Sequence, residues 1–139
     1  MVGGFAGYIA WRQWQTARQR LRFDLFEKRF GIYLASVTLI NRAVVHGTPT
    51  MEDIVQFQQA TRGGEFLFSG PAKAFIRELG ANAIRARLNH DQLDRNANHP
   101  RADHLINEEE DIGDYLRSKA DEVDGLFRPY LDLSEIAAK

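Results

Sequence analysis

The chain has 139 residues, 44% of them apolar, enough for one domain with a real core and too many for wholesale disorder. It contains no cysteine, which excludes disulfides and thiolate metal sites. Its net charge of −1 conceals an asymmetry: residues 1–29 hold six basic side chains against two acidic, and residues 103–135 hold eleven acidic against three basic. Blocks of opposite sign imply that the two ends face different surroundings or each other.

The N-terminus reads MVGGFAGYIAWRQW. It is apolar and small from Val2 to Trp11, and Arg12 ends the run. Ten residues are too few to span a bilayer as a helix, which takes ~20. A secretory signal places its positive charges before the apolar run, whereas here they follow it. The pattern is that of the last half of a transmembrane helix. Phe5 and Ile9 belong to its apolar part, and Tyr8, Trp11 and Trp14 to an interfacial aromatic belt. Arg12, Arg18, Arg20 and Arg22 then form the cytoplasmic basic flank. The plainer alternative is a helix end that packs its aromatics on a partner protein or on the bundle.

No helix breaker interrupts Gln15–Leu21, so one helix is expected from about Phe5 to His46. Its second half carries Phe23, Phe26, Phe30, Tyr33, Val37, Ile40 and Val44 at alternating steps of three and four. That is the spacing of a buried helical stripe. The part before it lacks this rhythm and is expected to project as a stalk. Gly47-Thr48-Pro49 closes the helix. Thr50 then caps a short second helix with Asp53 three residues on. That helix runs to about Arg62, buries Ile54, Phe57 and Gln58, and ends at Gly63-Gly64. Phe66-Leu67-Phe68 reads as a hydrophobic plug leading into helix three. Ser69 or Gly70 caps that helix and Pro71 opens it.

Helix three is expected to reach Arg95, with Ala72, Phe75, Ile76, Leu79, Ala83, Ile84 and Leu88 facing inward and Gly80 permitting close helix contact. A polar turn, NANHP at 96–100, leads to helix four from Arg101 to Leu126. Leu105, Ile112, Leu116, Ala120, Val123 and Phe127 form its stripe. Glu108, Glu109, Glu110, Asp111 and Asp114 form an exposed acidic face that could dock a basic partner. Pro129 disfavours a helical Arg128 and ends the helix. Tyr130, Leu131 and Leu133 can then fold back on the core.

Residue types give little chemistry. The two-histidine i, i+4 pattern of a helical metal site is absent, and there is no Glu-x-x-His di-iron motif and no EF-hand loop. There is no Gly-x-Ser-x-Gly elbow and no phosphate-binding Gly-rich loop followed by Lys-Ser/Thr. We therefore assign no catalytic residue, cofactor or metal. Nucleic acid is a weak candidate partner, because the only basic cluster sits beside an apolar run that suits lipid better.

Tyr8-Ile-Ala-Trp-Arg-Gln-Trp14, Leu21-Arg-Phe-Asp-Leu-Phe-Glu-Lys-Arg-Phe-Gly-Ile-Tyr33, Phe66-Leu-Phe-Ser-Gly70 and Leu126-Phe-Arg-Pro-Tyr-Leu-Asp-Leu133 carry a resemblance. They resemble a group of small uncharacterised bacterial proteins with an apolar N-terminal helix, a YIAxxQW-type exit and an LxxDLFxxRFxxY motif. The resemblance implies a single-pass membrane protein with a cytoplasmic helical domain and transfers no catalytic residue. This chain carries half of that apolar helix.

Together these readings give an all-α, four-helix bundle with a long projecting N-terminal helix. Residues 1–20 are the stalk, 21–133 the bundle and 134–139 a tail. The expected function is that of a non-enzymatic accessory or scaffolding protein. It would sit at the cytoplasmic face of the bacterial inner membrane and bind the membrane surface or a membrane-protein partner. The alternatives are a small helical ligand-binding domain or enzyme using a pocket around Phe66–Phe68, and a homo-oligomer assembled through the N-terminal helix.

Overall fold

The computed structural model describes residues 2–95, 98 and 100–131. Among these the fold is all-α, with no strand. Helix α1 spans Val2–His46, 45 residues, a rod of about 67 Å at the helical rise. Helices α2 (Met51–Ala60), α3 (Gly70–Arg95) and α4 (Ala102–Phe127) follow, with single 3-10 turns at Gly64–Phe66 and Arg128–Tyr130. Both α1 and α3 pack against α2 and α4. Helices adjacent in sequence are therefore adjacent in space, the up-down-up-down arrangement. Two contacts fix α1 and α4 as antiparallel: the Tyr33 hydroxyl donates to Asp124 at 2.6 Å, and the Thr48 hydroxyl donates to Glu109 at 3.1 Å.

Local sequence explains the breaks. Gly47 and Gly63 take positive φ (81° and 80°), which side chains other than glycine rarely adopt, and each reverses the chain at a helix end. Thr50 caps α2 as expected: its hydroxyl accepts from the Asp53 N–H, and the Asp53 carboxylate accepts from the Thr50 N–H, both at 3.1 Å. Pro71 follows Gly70 at the start of α3; α4 ends at Phe127, but Arg128 keeps helical φ and ψ of −50° and −46° against expectation, and the chain passes through Pro129 in a 3-10 turn.

The core is built from Ile32, Leu39, Ile40 and Ala43 of α1, Ile54 and Phe57 of α2, and Phe68 at the entry to α3. Ala72, Phe75, Leu79, Ala83 and Ala86 of α3 and Ile112, Leu116, Val123 and Phe127 of α4 complete it. Phe127, fully buried, is ringed edge-on by Phe68, Tyr33 and Phe75 at centroid distances of 5.1, 5.6 and 5.9 Å. This arrangement suits the aromatic quadrupole. A Cβ built on Gly80 would meet Phe57 at 3.4 Å, so the α2–α3 contact is close at that level.

Several faces differ from the sequence expectation. In α1 the buried line runs Ile32, Ser36, Leu39/Ile40 and Ala43, one residue (100°) round from Tyr33, Val37 and Val44. Phe23, Phe30 and Val44 are exposed, while Phe26, Tyr33 and Val37 are half-buried on the side toward α4. Serine can sit on the true core line because its hydroxyl donates to the Ile32 carbonyl at 2.9 Å. In α2, Gln58 is exposed and Asp53 is buried instead. Only Phe68 of the expected plug is buried, and Phe66 is 85% exposed. In α3 the buried line turns through Ala86 and Asn89, leaving Ile84 and Leu88 exposed. In α4 Ala120 is exposed and Leu105 half-buried. Tyr130 and Leu131 pack on the core as expected. Leu133, residues 134–139 and most of the 96–100 turn lie outside the described residues.

Candidate functional site

The first half of α1 stands apart from the bundle: every side chain from Gly3 to Leu21 is exposed. Of the residues singled out for docking, Phe5, Tyr8, Ile9, Trp11, Arg12, Trp14, Arg18 and Arg20 are exposed. Arg22 is half-buried where the helix enters the bundle. Tyr8 and Trp11 lie 6.5 Å apart by ring centroid. The Arg12 guanidinium sits 6.0 Å from the Tyr8 ring and that of Arg18 5.3 Å from the Trp14 ring. Both distances are within the range in which a cation is attracted to an aromatic face. No acidic side chain occurs before Asp24.

At the root of the stalk an aromatic ladder descends into the core. Phe26 stacks on Phe30 at 5.8 Å, Phe30 meets Tyr33 at 5.8 Å, and Tyr33 meets Phe127. Arg29 Nε donates to the Leu67 carbonyl at 3.1 Å, and its guanidinium lies 5.5 Å from the Tyr130 ring. The Tyr130 hydroxyl donates in turn to the Ser69 carbonyl at 2.7 Å. Arg29 thereby ties α1, the entry to α3 and the end of α4 together. Nothing local in the sequence marks Arg29 for this role, because its partners lie 38 or more residues away.

The acidic face divides in two. Glu108 is paired with Arg85, whose guanidinium holds its carboxyl below the usual carboxylate range, with Asn89 and His104 adding to the effect. Glu109 accepts from Thr48 and faces His90 at 3.4 Å. Both are half-buried and serve the bundle. Glu110, Asp111 and Asp114 are exposed, with Asp114 3.5 Å from Arg117. Farther along the outer side of α4, Asp121 is also exposed.

Two further polar contacts across helix seams had no sequence signal. Asp53 is paired with Arg42 across the α1–α2 seam. The Tyr115 hydroxyl donates to Glu78 at 3.1 Å between α3 and α4, and burial, then Glu78, pushes its pKa up to about 12. Partners that lie 11 and 37 residues apart meet only through the fold.

The region of the suspected pocket offers a shallow hollow of about 180 Å³ lined by Thr61, Gly63, Glu65, Lys73, Ile76 and Arg77. Glu65 and Arg77 pair there at 3.8 Å, and no histidine lines it. Among the described residues no group of three His, Cys, Asp or Glu could hold a metal ion, and no helix is long and apolar enough to cross a membrane. No family model, curated protein or solved structure matches the chain. The stalk is therefore the surface on which a functional reading rests.

Proposed function

We propose that this chain is a non-enzymatic, membrane-associated accessory or scaffolding protein that docks through the first turns of α1. One observation carries the reading: the exposed stalk is apolar around its whole circumference at the tip and basic below it. Phe5, Tyr8, Ile9 and Trp11 are exposed within one arc of about 160° at 100° per residue, and the rest of the circumference there is Ala6, Gly7 and Ala10, so no charged side chain interrupts the tip. A helix apolar all round needs apolar surroundings on every side. A groove on a protein supplies one side, and lipid supplies all. Residues 2–11 are about 15 Å long, the depth of one leaflet's hydrocarbon. With this segment in the hydrocarbon, Trp11, Trp14 and Arg12 would lie at the headgroups, and Arg18 and Arg20 in the field of anionic lipid. The basic flank then places the bundle on the cytoplasmic side, in keeping with the bacterial membrane proteins the sequence resembles.

The test is flotation with vesicles of neutral lipid and of neutral lipid plus phosphatidylserine. The chain is expected to float with the anionic vesicles at low salt, with a blue shift of tryptophan emission. Arg12→Glu, Arg18→Glu and Arg20→Glu together are expected to weaken binding at least ~100-fold, at ~1 kcal/mol per arginine. The reading fails if the native chain stays with the soluble fraction at low salt and charge reversal changes nothing.

A further inference from the structure

One face of α1 stays uncovered from tip to end. Phe5, Ile9, Phe23, Phe30, Leu34 and Val45 are all exposed, and the steps between them fall close to whole helical turns. The stalk itself gains nothing from the bundle. Gly3, Gly4 and Gly7 lie near its tip, each costing ~1 kcal/mol of helix propensity relative to alanine, and an isolated helix of this length is marginal in water. Beside the same face, on the outer side of α4, lie Glu110, Asp114 and Asp121 at helical spacing.

We propose that the occupant of this face is a second copy of the chain. The two α1 helices lie antiparallel about a two-fold axis between residues 26 and 27. The stalk of each rests in the groove between α1 and α4 of the other. This register follows from the pattern of side chains. With Phe23 opposite Phe30 of the second copy, Tyr8 and Ile9 fall opposite its Val45 and Val44, apolar on apolar. The Tyr33–Asp124 and Thr48–Glu109 contacts give the level of α4 at each point of α1. They put Arg12 near the level of Asp114 in the second copy, and Arg18 near that of Asp121.

Basic stalk thus meets acidic ridge, and each contact occurs twice, as a two-fold interface requires. A parallel pairing would instead set the two arginine clusters side by side. This proposal does not rest on the membrane reading. The docked dimer sheathes the same arginines that lipid would engage, so dimer and membrane-bound chain are alternative states.

Light scattering on the full chain without vesicles tests it. At low salt the mass is expected at twice the 15.9 kDa of the chain, falling toward a single chain at high salt. Arg12→Glu/Arg18→Glu/Arg20→Glu is expected to be monomeric, and so is Glu110→Lys/Asp114→Lys/Asp121→Lys. All six side chains are exposed, and unchanged helical circular dichroism controls for folding. The decisive step is mixing the two variants. In the mixed dimer the reversed stalk meets the reversed ridge and the native stalk meets the native ridge, opposite in sign both times, and the double mass should return. A native chain that is monomeric at low salt, a dimer that survives both reversals, or a mixture that stays monomeric each overturns the proposal. None of these outcomes touches the flotation result, and a chain that fails to float leaves the dimer standing.

Discussion

Asp53 shows how one side chain can serve two elements. It closes the capping box of α2 and pairs with Arg42 of α1. Burial alone would raise its pKa. The bonds from Arg42 and from the Thr50 N–H and hydroxyl outweigh that and hold it below the usual value. A depressed folded-state pKa stabilises the protein above the unfolded carboxyl pKa of ~3.9, and the gain disappears as pH falls through the folded value. Urea titrations should therefore show an acid limb that Asp53→Asn lacks, with the variant ~1–3 kcal/mol less stable at neutral pH. Tyr115 works at the other end of the scale. Its folded pKa of about 12 lies above the unfolded value, so the native state holds the proton longer and stability falls as pH rises from ~10 toward that value. Tyr115→Phe should flatten this alkaline limb in the same titration. The Thr50–Asp53 box was legible because both partners lie within one turn. The Arg42 and Glu78 contacts were not, because nothing local marks two residues that meet only across packed helices.

At the scale of the element, α1 separates periodicity from burial. The Phe23–Val44 series is regular and aromatic, yet the bundle buries the neighbouring line through Ile32, Ser36 and Ala43. That line was hard to read because it mixes a serine and an alanine with aliphatics, while the aromatic series looked like a core. The aromatics instead cover the flank toward α4 and leave an exposed edge. Denaturant unfolding of the monomeric Arg12→Glu/Arg18→Glu/Arg20→Glu chain can separate the two lines: Ile32→Ala and Leu39→Ala are expected to cost ~2–5 kcal/mol, and Phe23→Ala under ~1. The acidic run of α4 divides by the same logic. Glu108 and Glu109 face Arg85 and Thr48 inside the assembly, and their neighbours face water. Gly80 has a narrower role than spacing suggested. A methyl there would sit at 3.4 Å from Phe57, an ordinary contact. Gly80→Ala should therefore raise stability by ~1 kcal/mol through helix propensity, whereas Gly80→Leu should lower it by overpacking, both read from urea midpoints.

For the molecule as a whole, helix number, order and approximate ends followed from breakers and caps: Gly47, Thr50, Gly63, Pro71 and Pro129 all mark boundaries. The projecting stalk was legible too, since its residues lack a core stripe. The ring order of the helices and the antiparallel level of α4 against α1 depend on packing and had no sequence signal. Those unread features carry the proposed dimer, because they place the acidic side of α4 beside the open face of α1. The opposite charges of the two chain ends have two readings, one for each proposed state. Lipid would satisfy the basic end alone, and a second copy would satisfy both.

Helix α1 runs from Val2 to His46 without a break, so tip and bundle share one rotational phase. Each residue added to or removed from the stalk turns the bundle by 100° about the rod and shifts it by 1.5 Å. Deleting the seven residues 16–22 would shorten the spacer by about 10 Å and return nearly the original azimuth. Deleting two would shorten it by only about 3 Å and swing the bundle to the opposite side. An activity that depends on which way the bundle faces would therefore rise and fall with the helical repeat as the stalk is shortened, whereas one that depends on distance alone would decline smoothly.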